Sequence, residues 1–323
     1  MSAAHALIVG VGTALHGLSR ATDLLGIEKS GPGIPFDSTT ALVGRDLRNK
    51  DRGSRLAIRA VEAALSDAGP LDRDTVGRAL DPDTTAVVVS SNLGNLGSVC
   101  ELTDTIAAET ALGLDPLRLP ETACSVIAAS VAMRFGLRGP NLTVCNGVTS
   151  GLDALFWAQT LLAAGRARAV VVVGVEPTNE AVRRMLGNDS VDGAAALLLQ
   201  PVEGTTDSSV HRNRALVAGY ARASDMGTAI AAVGLGDRRE VELWLTEASG
   251  QTAVEVAEVG LSPAGALKVV SVEGLLGPCS GALGVIQCAL GAAYLEDGGD
   301  GPVLATAGAT AGPASAVLLT AAT

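Results

Sequence analysis

Residues 134–155 read RFGLRGPNLTVCNGVTSGLDAL. From Asn141 onward this stretch parses as a short apolar strand, a turn, and a helix that opens at Ser150-Gly151. The helix continues through LDALFWAQTLLAAG, a charged turn follows, and AVVVVGV, ending at Val175, supplies a second strand. A further apolar run, DGAAALLLQ, occupies 192–200. The same order returns later in the chain. Between Lys268 and Gly308 a strand leads through a turn to Ser280-Gly281, then to the apolar helix ALGVIQCALGAAYL, a charged turn and PVLATAG, with ASAVLLT following at 314–320. Each unit also has an earlier strand, at 85–90 and 241–246. Continuous apolar strands alternating with helices imply sheets covered on both faces. The chain is therefore expected to be an α/β protein of two pseudo-repeated halves, residues 1–203 and 204–323.

Composition supports a large core. Of 323 residues, 48% are hydrophobic but only 2% aromatic, so packing must come from Val, Leu, Ile and Ala. The 39 glycines suit helices pressed closely onto sheets. A net charge of −11 without a basic cluster argues against nucleic acid or an anionic membrane surface as partner. Cys100, Cys124, Cys145, Cys279 and Cys288 lack CxxC or Cys/His spacing, so neither a zinc site nor a disulfide framework is expected. Neither metal nor cofactor is implied, and reduced cytoplasm is the expected compartment. Residues 275–295 and 302–323 are free of charge and long enough to raise the question of a membrane span. Gly-Pro-Cys-Ser-Gly interrupts the first, and Gly, Pro, Ser and Thr dot the second, so buried strands and turns fit better. The N-terminal run lacks a basic flank and reads as a first strand. Residues 52–69, RGSRLAIRAVEAALSDAG, carry apolar residues at helical spacing and end in Gly, which predicts an amphipathic helix.

The opening stretch resembles the active-site segment of β-ketoacyl synthases, a family of the thiolase superfamily. The resemblance extends over nearly the whole chain and implies the thiolase-like fold, with the two halves arranged in five α-β-α-β-α layers. In the family the strand is followed by an elbow bearing a nucleophilic Cys three residues before the Ser-Gly glycine; here that position is Val148. The family's first histidine stands in a phrase like EAHGTGT, matched by Glu247-Ala248-Ser249-Gly250, so Ser249 replaces it. Its lysine and second histidine belong to a phrase matched by VVSVEGLLGPCSGA, 269–282, which places Val270 and Leu275 at those positions. Valine has no lone pair with which to attack a thioester, and the general-base and electrostatic groups are missing with it. The sequence thus predicts a ketosynthase-like chain with no catalytic residues of its own.

Two other departures accompany these. Only residues 177–191 separate Glu176 from Asp192, where ketosynthases place roughly three times as many, beyond ordinary boundary error. TAGATAGPASA, 306–316, stands where the family has a Gly-Phe-Gly-Gly gating turn. Thr122-Ala123-Cys124-Ser125 spells the family's nucleophile tetrad but precedes the GLRGPN phrase instead of following it. Cys124 is read as a small buried hydrophobe and Cys145 as a strand residue. Cys279, ahead of a helix, is the better alternative nucleophile, since a helix N-terminus lowers a thiol pKa. His5, His16 and His211 fall outside the family phrases and are read as solvated or structural.

Within the superfamily, chain length factors of bacterial type II polyketide synthases keep the fold, lose the nucleophile and pair with an active ketosynthase as a pseudo-symmetric heterodimer. GLDAL, 151–155, is similar to their GGLDAL. The resemblance implies that this chain shapes a partner's acyl tunnel, with Leu93, Leu96, Val99, Thr103 and Arg118 as the tunnel and interface candidates. Leu96, Val99 and Thr103 are spaced to share a helix face. Acyl carrier protein, acidic in these families, is expected to dock mainly on the partner, because this chain is itself strongly negative. The alternatives are a stand-alone acyl-binding or scaffold homodimer, and a thiolase-fold acyltransferase using Cys279 or Cys124.

Overall fold

The computed structural model describes residues 5–25, 36–45, 47–48, 50–69, 80–187, 190–202, 215–236, 240–247 and 261–322. In chain order the elements are β1 Ala6–Ala14, α1 Arg52–Ala68, β2 Thr85–Ser90, α2 Leu96–Glu109, α3 Val126–Phe135, β3 Asn141–Val144, α4 Ser150–Ala163, β4 Ala169–Glu176, α5 Glu180–Leu186 and β5 Gly193–Pro201. The second half contributes β6 Ala215–Ala223, α6 Met226–Ala232, β7 Glu240–Thr246, β8 Ser262–Ser271, α7 Val272–Leu276, α8 Leu283–Glu296, β9 Val303–Gly308 and β10 Ala314–Ala321.

The strands join in the order β3-β2-β4-β5-β1-β6-β10-β9-β7-β8. Adding five to each strand number of the first half reproduces the second half read from its far edge. The pairing senses mirror one another too: β2 is parallel to β3 and β4, β7 is parallel to β8 and β9, and the remaining neighbours are antiparallel. The expected repeat is therefore a pseudo-twofold whose axis passes between β1 and β6, joined by a short antiparallel register from Ala6↔Val217 to Ile8↔Ala215. The proposed division between residues 203 and 204 lies outside the described residues.

Three hydrophobic clusters correspond to the spaces between five layers. One lies between α1, α3 and the outer face of the first half-sheet. The largest surrounds α4 and α8, which are buried between the inner faces of the two half-sheets. The third lies between α6 and the second half-sheet. The chain has the thiolase-like α/β fold. α4 and α8 cross where Gly151 meets Gly284: a Cβ on Gly151 would stand 2.6 Å from the Gly284 nitrogen. Only glycine permits such an approach, and it allows two apolar helices to share one narrow layer.

α1 begins with Asp51 as N-cap, its Oδ1 accepting from the Ser54 amide at 2.6 Å. The charge-free stretch 275–295 becomes the end of α7, a turn and the buried helix α8, and 302–323 becomes β9 and β10. Among the described residues no helix is long and apolar enough to cross a membrane. Two cysteine expectations are corrected. Cys124 is exposed, in the loop just before α3, and Cys145 is exposed and follows β3 instead of lying on it. Apolar packing in this chain comes almost wholly from the strands and central helices, and neither thiol lies on one.

Candidate functional site

β3 ends at Val144, whose carbonyl accepts from the Ser91 amide at 3.2 Å. The chain then reverses through Asn146–Thr149, where Gly147 adopts φ +75°, the left-handed region that favours glycine. Ser150 ties the turn on itself: its Oγ accepts from the Asn146 amide at 2.6 Å and donates to the Gly147 carbonyl at 2.7 Å. Asn92, in the loop after β2, grips the turn from the other side. Its Nδ2 donates to the Gly147 carbonyl and to Ser280 Oγ, both at 2.9 Å, while its Oδ1 accepts from the Gly147 amide at 3.2 Å and from Ser150 Oγ at 3.1 Å. Val148 sits half-buried at the apex of this elbow. The elbow is built; the nucleophile is not.

Two buried carboxylates anchor the surroundings, and neither was singled out as a functional residue by sequence reasoning. Glu176, at the end of β4, accepts from the amides of Asn92 (2.7 Å), Leu93 (3.0 Å) and Gly281 (3.0 Å) and from Ser91 Oγ (3.3 Å). Burial pushes its carboxyl up to about 6, against the pull of these donors. Asp153, in the first turn of α4, accepts from Tyr220 and Ser315 hydroxyls at 2.8 Å, from Thr149 Oγ1 at 3.0 Å, from Asn146 Nδ2 at 3.1 Å and from the Arg222 guanidinium. The only signal in the sequence was an acid inside an apolar run; the partners are 83 to 105 residues from Glu176 and, across the pseudo-twofold, 67 to 162 residues from Asp153.

Two of the family-phrase positions in the second half are apolar. Val270 is half-buried on β8 and Leu275 is 53% exposed on α7. Ser249 and His211 lie outside the described residues. His16 contacts Ser38 in the loop after β1, and His5 precedes β1. Two further carboxylates lie by the Ser280 and Gly308 turns. Glu273 accepts from the Cys279 amide at 2.6 Å, and Glu247 accepts from the Gly308 amide at 3.0 Å. Burial, with the Glu273 charge adding to it, raises Glu247.

Two cysteines near the turn are held away from the thiolate form. Cys279 is fully buried, and burial first, then the charges of Glu273 and Glu176, drives its thiol far above its ordinary range. This reverses the expectation from its place ahead of a helix: burial and the two carboxylates outweigh what the helix N-terminus offers. Partial desolvation and the Glu176 charge also raise Cys145.

The outer face of the elbow is largely uncovered. β3 is the edge of the sheet, paired on one side with β2. α2 carries no buried residue. Its Val99, Thr103 and Ile106 form one exposed stripe, with Thr103 Oγ1 turned back to the Val99 carbonyl at 2.8 Å. Leu112 and Leu117 are 95% and 76% exposed beyond its end. Phe156 and Trp157 emerge from α4, and Phe156 stacks on Tyr220 with centroids 4.9 Å apart. The tunnel candidates separate on this surface. Val99 and Thr103 lie on the exposed stripe, Leu93 is buried beside Glu176, and Leu96 and Arg118 line a cleft of about 640 Å³ between α1, α2 and α5. Arg118 pairs there with Glu101.

Comparison with known proteins is consistent with this geometry. Residues 35–190 match the family model of the β-ketoacyl synthase N-terminal domain. Over 142 residues the chain is 27% identical to 3-oxoacyl-[acyl-carrier-protein] synthase 2 of Vibrio harveyi, and over 150 residues it is 31% identical to a granaticin polyketide β-ketoacyl synthase of Streptomyces violaceoruber. These matches cover 44% and 45% of this chain but span only 33% and 35% of those relatives. Structural likeness runs further. The ishigamide ketosynthase/chain length factor superposes with a TM-score of 0.76 at 26% identity, covering 98% of this chain and 99% of that one. A type II polyketide synthase ketosynthase, in complex with its acyl carrier protein, shares the fold at TM-score 0.76 and 16% identity, covering 99% and 100%.

Proposed function

We propose that this chain, which belongs to the β-ketoacyl synthase superfamily, is a non-catalytic chain-length-factor subunit that pairs with an active ketosynthase and helps wall its acyl tunnel. One observation carries the reading: the elbow is held in full by Asn92, Ser150 and Asp153 although Val148 stands at its apex, and it adjoins an open strand edge and a helix without a single buried residue. A helix that buries nothing gains little from its own fold, and an apolar, unpaired edge invites pairing with another chain. The full-length likeness to the ishigamide ketosynthase/chain length factor supports that partner over others.

In this reading the partner's nucleophile carries the acyl chain and this subunit supplies tunnel wall, with the Val99–Thr103–Ile106 stripe facing the growing chain or the partner. The net charge of −11 directs an acidic acyl carrier mainly to the partner's surface. The compartment is cytoplasmic. The decisive measurement is the solution mass of this protein alone and after co-expression with a ketosynthase. A one-to-one heterodimer, with the lone chain unstable or aggregating, is expected. A stable homodimer that ignores the ketosynthase would overturn the reading in favour of a stand-alone acyl-binding scaffold.

A further inference from the structure

We propose that Cys124 and Cys145 form a reversible disulfide clasp that fastens the loop ahead of α3 to the end of β3. Both thiols are exposed, and neither takes part in holding the elbow. α3 and β3 are consecutive, pack together and are joined only by residues 136–140. Helix and strand therefore run in opposite directions, and the start of α3 lies at the same end as the close of β3. The loop after β2 touches both of these ends. The Ser91 amide donates to the Val144 carbonyl at 3.2 Å, and Asn95 Nδ2 donates to the Thr122 carbonyl at 2.8 Å. Between them Gly94 is pressed against Ser91 and against Ile127 of α3, so that a Cβ there would collide with both.

Side chains along β3 alternate between its faces. Leu142 and Val144 turn inward to the cluster around α4, whereas Asn141 turns outward, its Nδ2 donating to the Ala128 carbonyl of α3 at 3.0 Å. Cys145 continues the outward set, toward the helix whose entry loop carries Cys124. The electrostatics agree with this placement: after desolvation and the Glu176 charge, the Cys124 charge is a third cause that raises the Cys145 thiol. A disulfide needs Cα atoms about 5.5 Å apart. Both cysteines lie on irregular backbone outside α3 and β3, where neither helical nor ladder hydrogen bonds oppose the last approach. The oxidant is a small-molecule disulfide of the glutathione type. One protein thiolate attacks it, breaking its S–S bond, forming a mixed disulfide and expelling one small thiolate; the second protein thiolate then attacks the protein sulfur of the mixed disulfide and expels the other. Two protein thiols thereby lose two protons and two electrons, and the small disulfide is reduced to two thiols.

The test equilibrates the full chain with mixtures of reduced and oxidised glutathione at about pH 8.5, where an ordinary thiol is half ionised. Free thiols are then blocked with N-ethylmaleimide and the peptides mapped by mass spectrometry. Cys124 and Cys145 are expected to leave the labelled set together and to return together after dithiothreitol, with one linked peptide joining them, while Cys100 keeps its label. In Cys124→Ser or Cys145→Ser the linked peptide should vanish and the remaining thiol should carry glutathione instead. Because ring closure within one chain has a high effective concentration, the parent should lose both thiols at an oxidised glutathione level at least tenfold below that which modifies either single variant. Cys100→Ser should leave the clasp unchanged. Separate glutathione adducts on the two thiols of the parent, linkage of either to Cys100 or to a second chain in equal yield, or two thiols that stay labelled throughout would overturn the proposal. None of these outcomes depends on whether a ketosynthase binds the chain.

Discussion

Asp153 is the residue at which the two halves and the elbow share one charge, and replacing it gives a graded test of how the elbow is held. Its Oδ1 takes Tyr220 and Ser315 from β6 and β10; its Oδ2 takes Asn146 and Thr149 from the elbow together with Arg222. In Asp153→Asn the side-chain oxygen can remain toward the Arg222 guanidinium and the Asn146 NH2, which donate, while the new NH2 turns toward two hydroxyls that can reverse and accept. What is lost is mainly the charge assistance to Arg222, and because Arg222 is 42% exposed water replaces part of it. About 2 kcal/mol is expected. Asp153→Leu has similar volume but leaves all five donors without an acceptor, with the Thr149 and Ser315 hydroxyls buried, for which about 3–5 kcal/mol is appropriate. At about 2 °C per kcal/mol for a chain of this size, the melting temperature should fall by about 4 °C for Asn and about 6–10 °C for Leu. Differential scanning calorimetry of the purified chain, or of its complex, measures both. Equal losses for the two variants, or a Leu variant within 1 °C of the parent, would refute the claim that this carboxylate joins the halves.

Three further outcomes follow from the site. Installing a thiol by Val148→Cys should yield neither condensation nor decarboxylation of malonyl-carrier, measured by mass spectrometry of the products, because Val270 and Leu275 stand where the family phrases carry a lysine and a histidine; any ketide product would refute this. Glu176 has a folded pKa of about 6, above the 4.5 of an ordinary carboxyl, so its contribution to stability is complete below about 4.5 and declines as pH rises to about 6. The melting temperature of the parent relative to Glu176→Gln should accordingly fall across pH 4.5–6 and be level above pH 7; a gap that widens in the parent's favour over that window would contradict the assignment. In an assembled complex, Val99→Trp on the exposed stripe should shorten products more than Leu96→Trp in the cleft; the reverse order, at normal assembly, would place the tunnel on the cleft side of α2.

The strand, elbow and helix around Val148 were legible because each is local: a Gly-Pro turn, the strand residues Leu142-Thr143-Val144, a glycine and Ser-Gly follow one another within 22 residues. The repeat was legible for the same reason, since Ser150-Gly151 and Ser280-Gly281 each open an apolar helix. Glu176 and Asp153 were not, because their meaning lies in donors that only the fold brings close. Cys124 was misread from the general habit of free cysteines to be buried, a habit that does not apply on a loop with nothing packed over it. The α2 stripe could not be told from a core face by spacing alone, since apolar residues three and four apart look the same whether their own fold or another protein covers them. Only the absence of any buried residue on α2 separates the two.

The hydrogen bonds at the elbow also bear on why such a chain keeps this geometry. Were the elbow's shape a by-product of catalysis, losing the nucleophile would release Asn92, Ser150 and Glu176 from any need to agree. Yet Asn92 still makes four hydrogen bonds that join the elbow to the Ser280 turn, and Glu176 still ties the loop after β2 to the Gly281 amide. None of these contacts involves the Val148 side chain. They fix the path of the chain just beyond β3, the edge at which the molecule is unfinished, and so determine what surface a partner meets there. Buried polar groups cost stability unless every one is satisfied, so on the proposed pairing this network around Val148 has a use in the shape it holds for a neighbouring subunit.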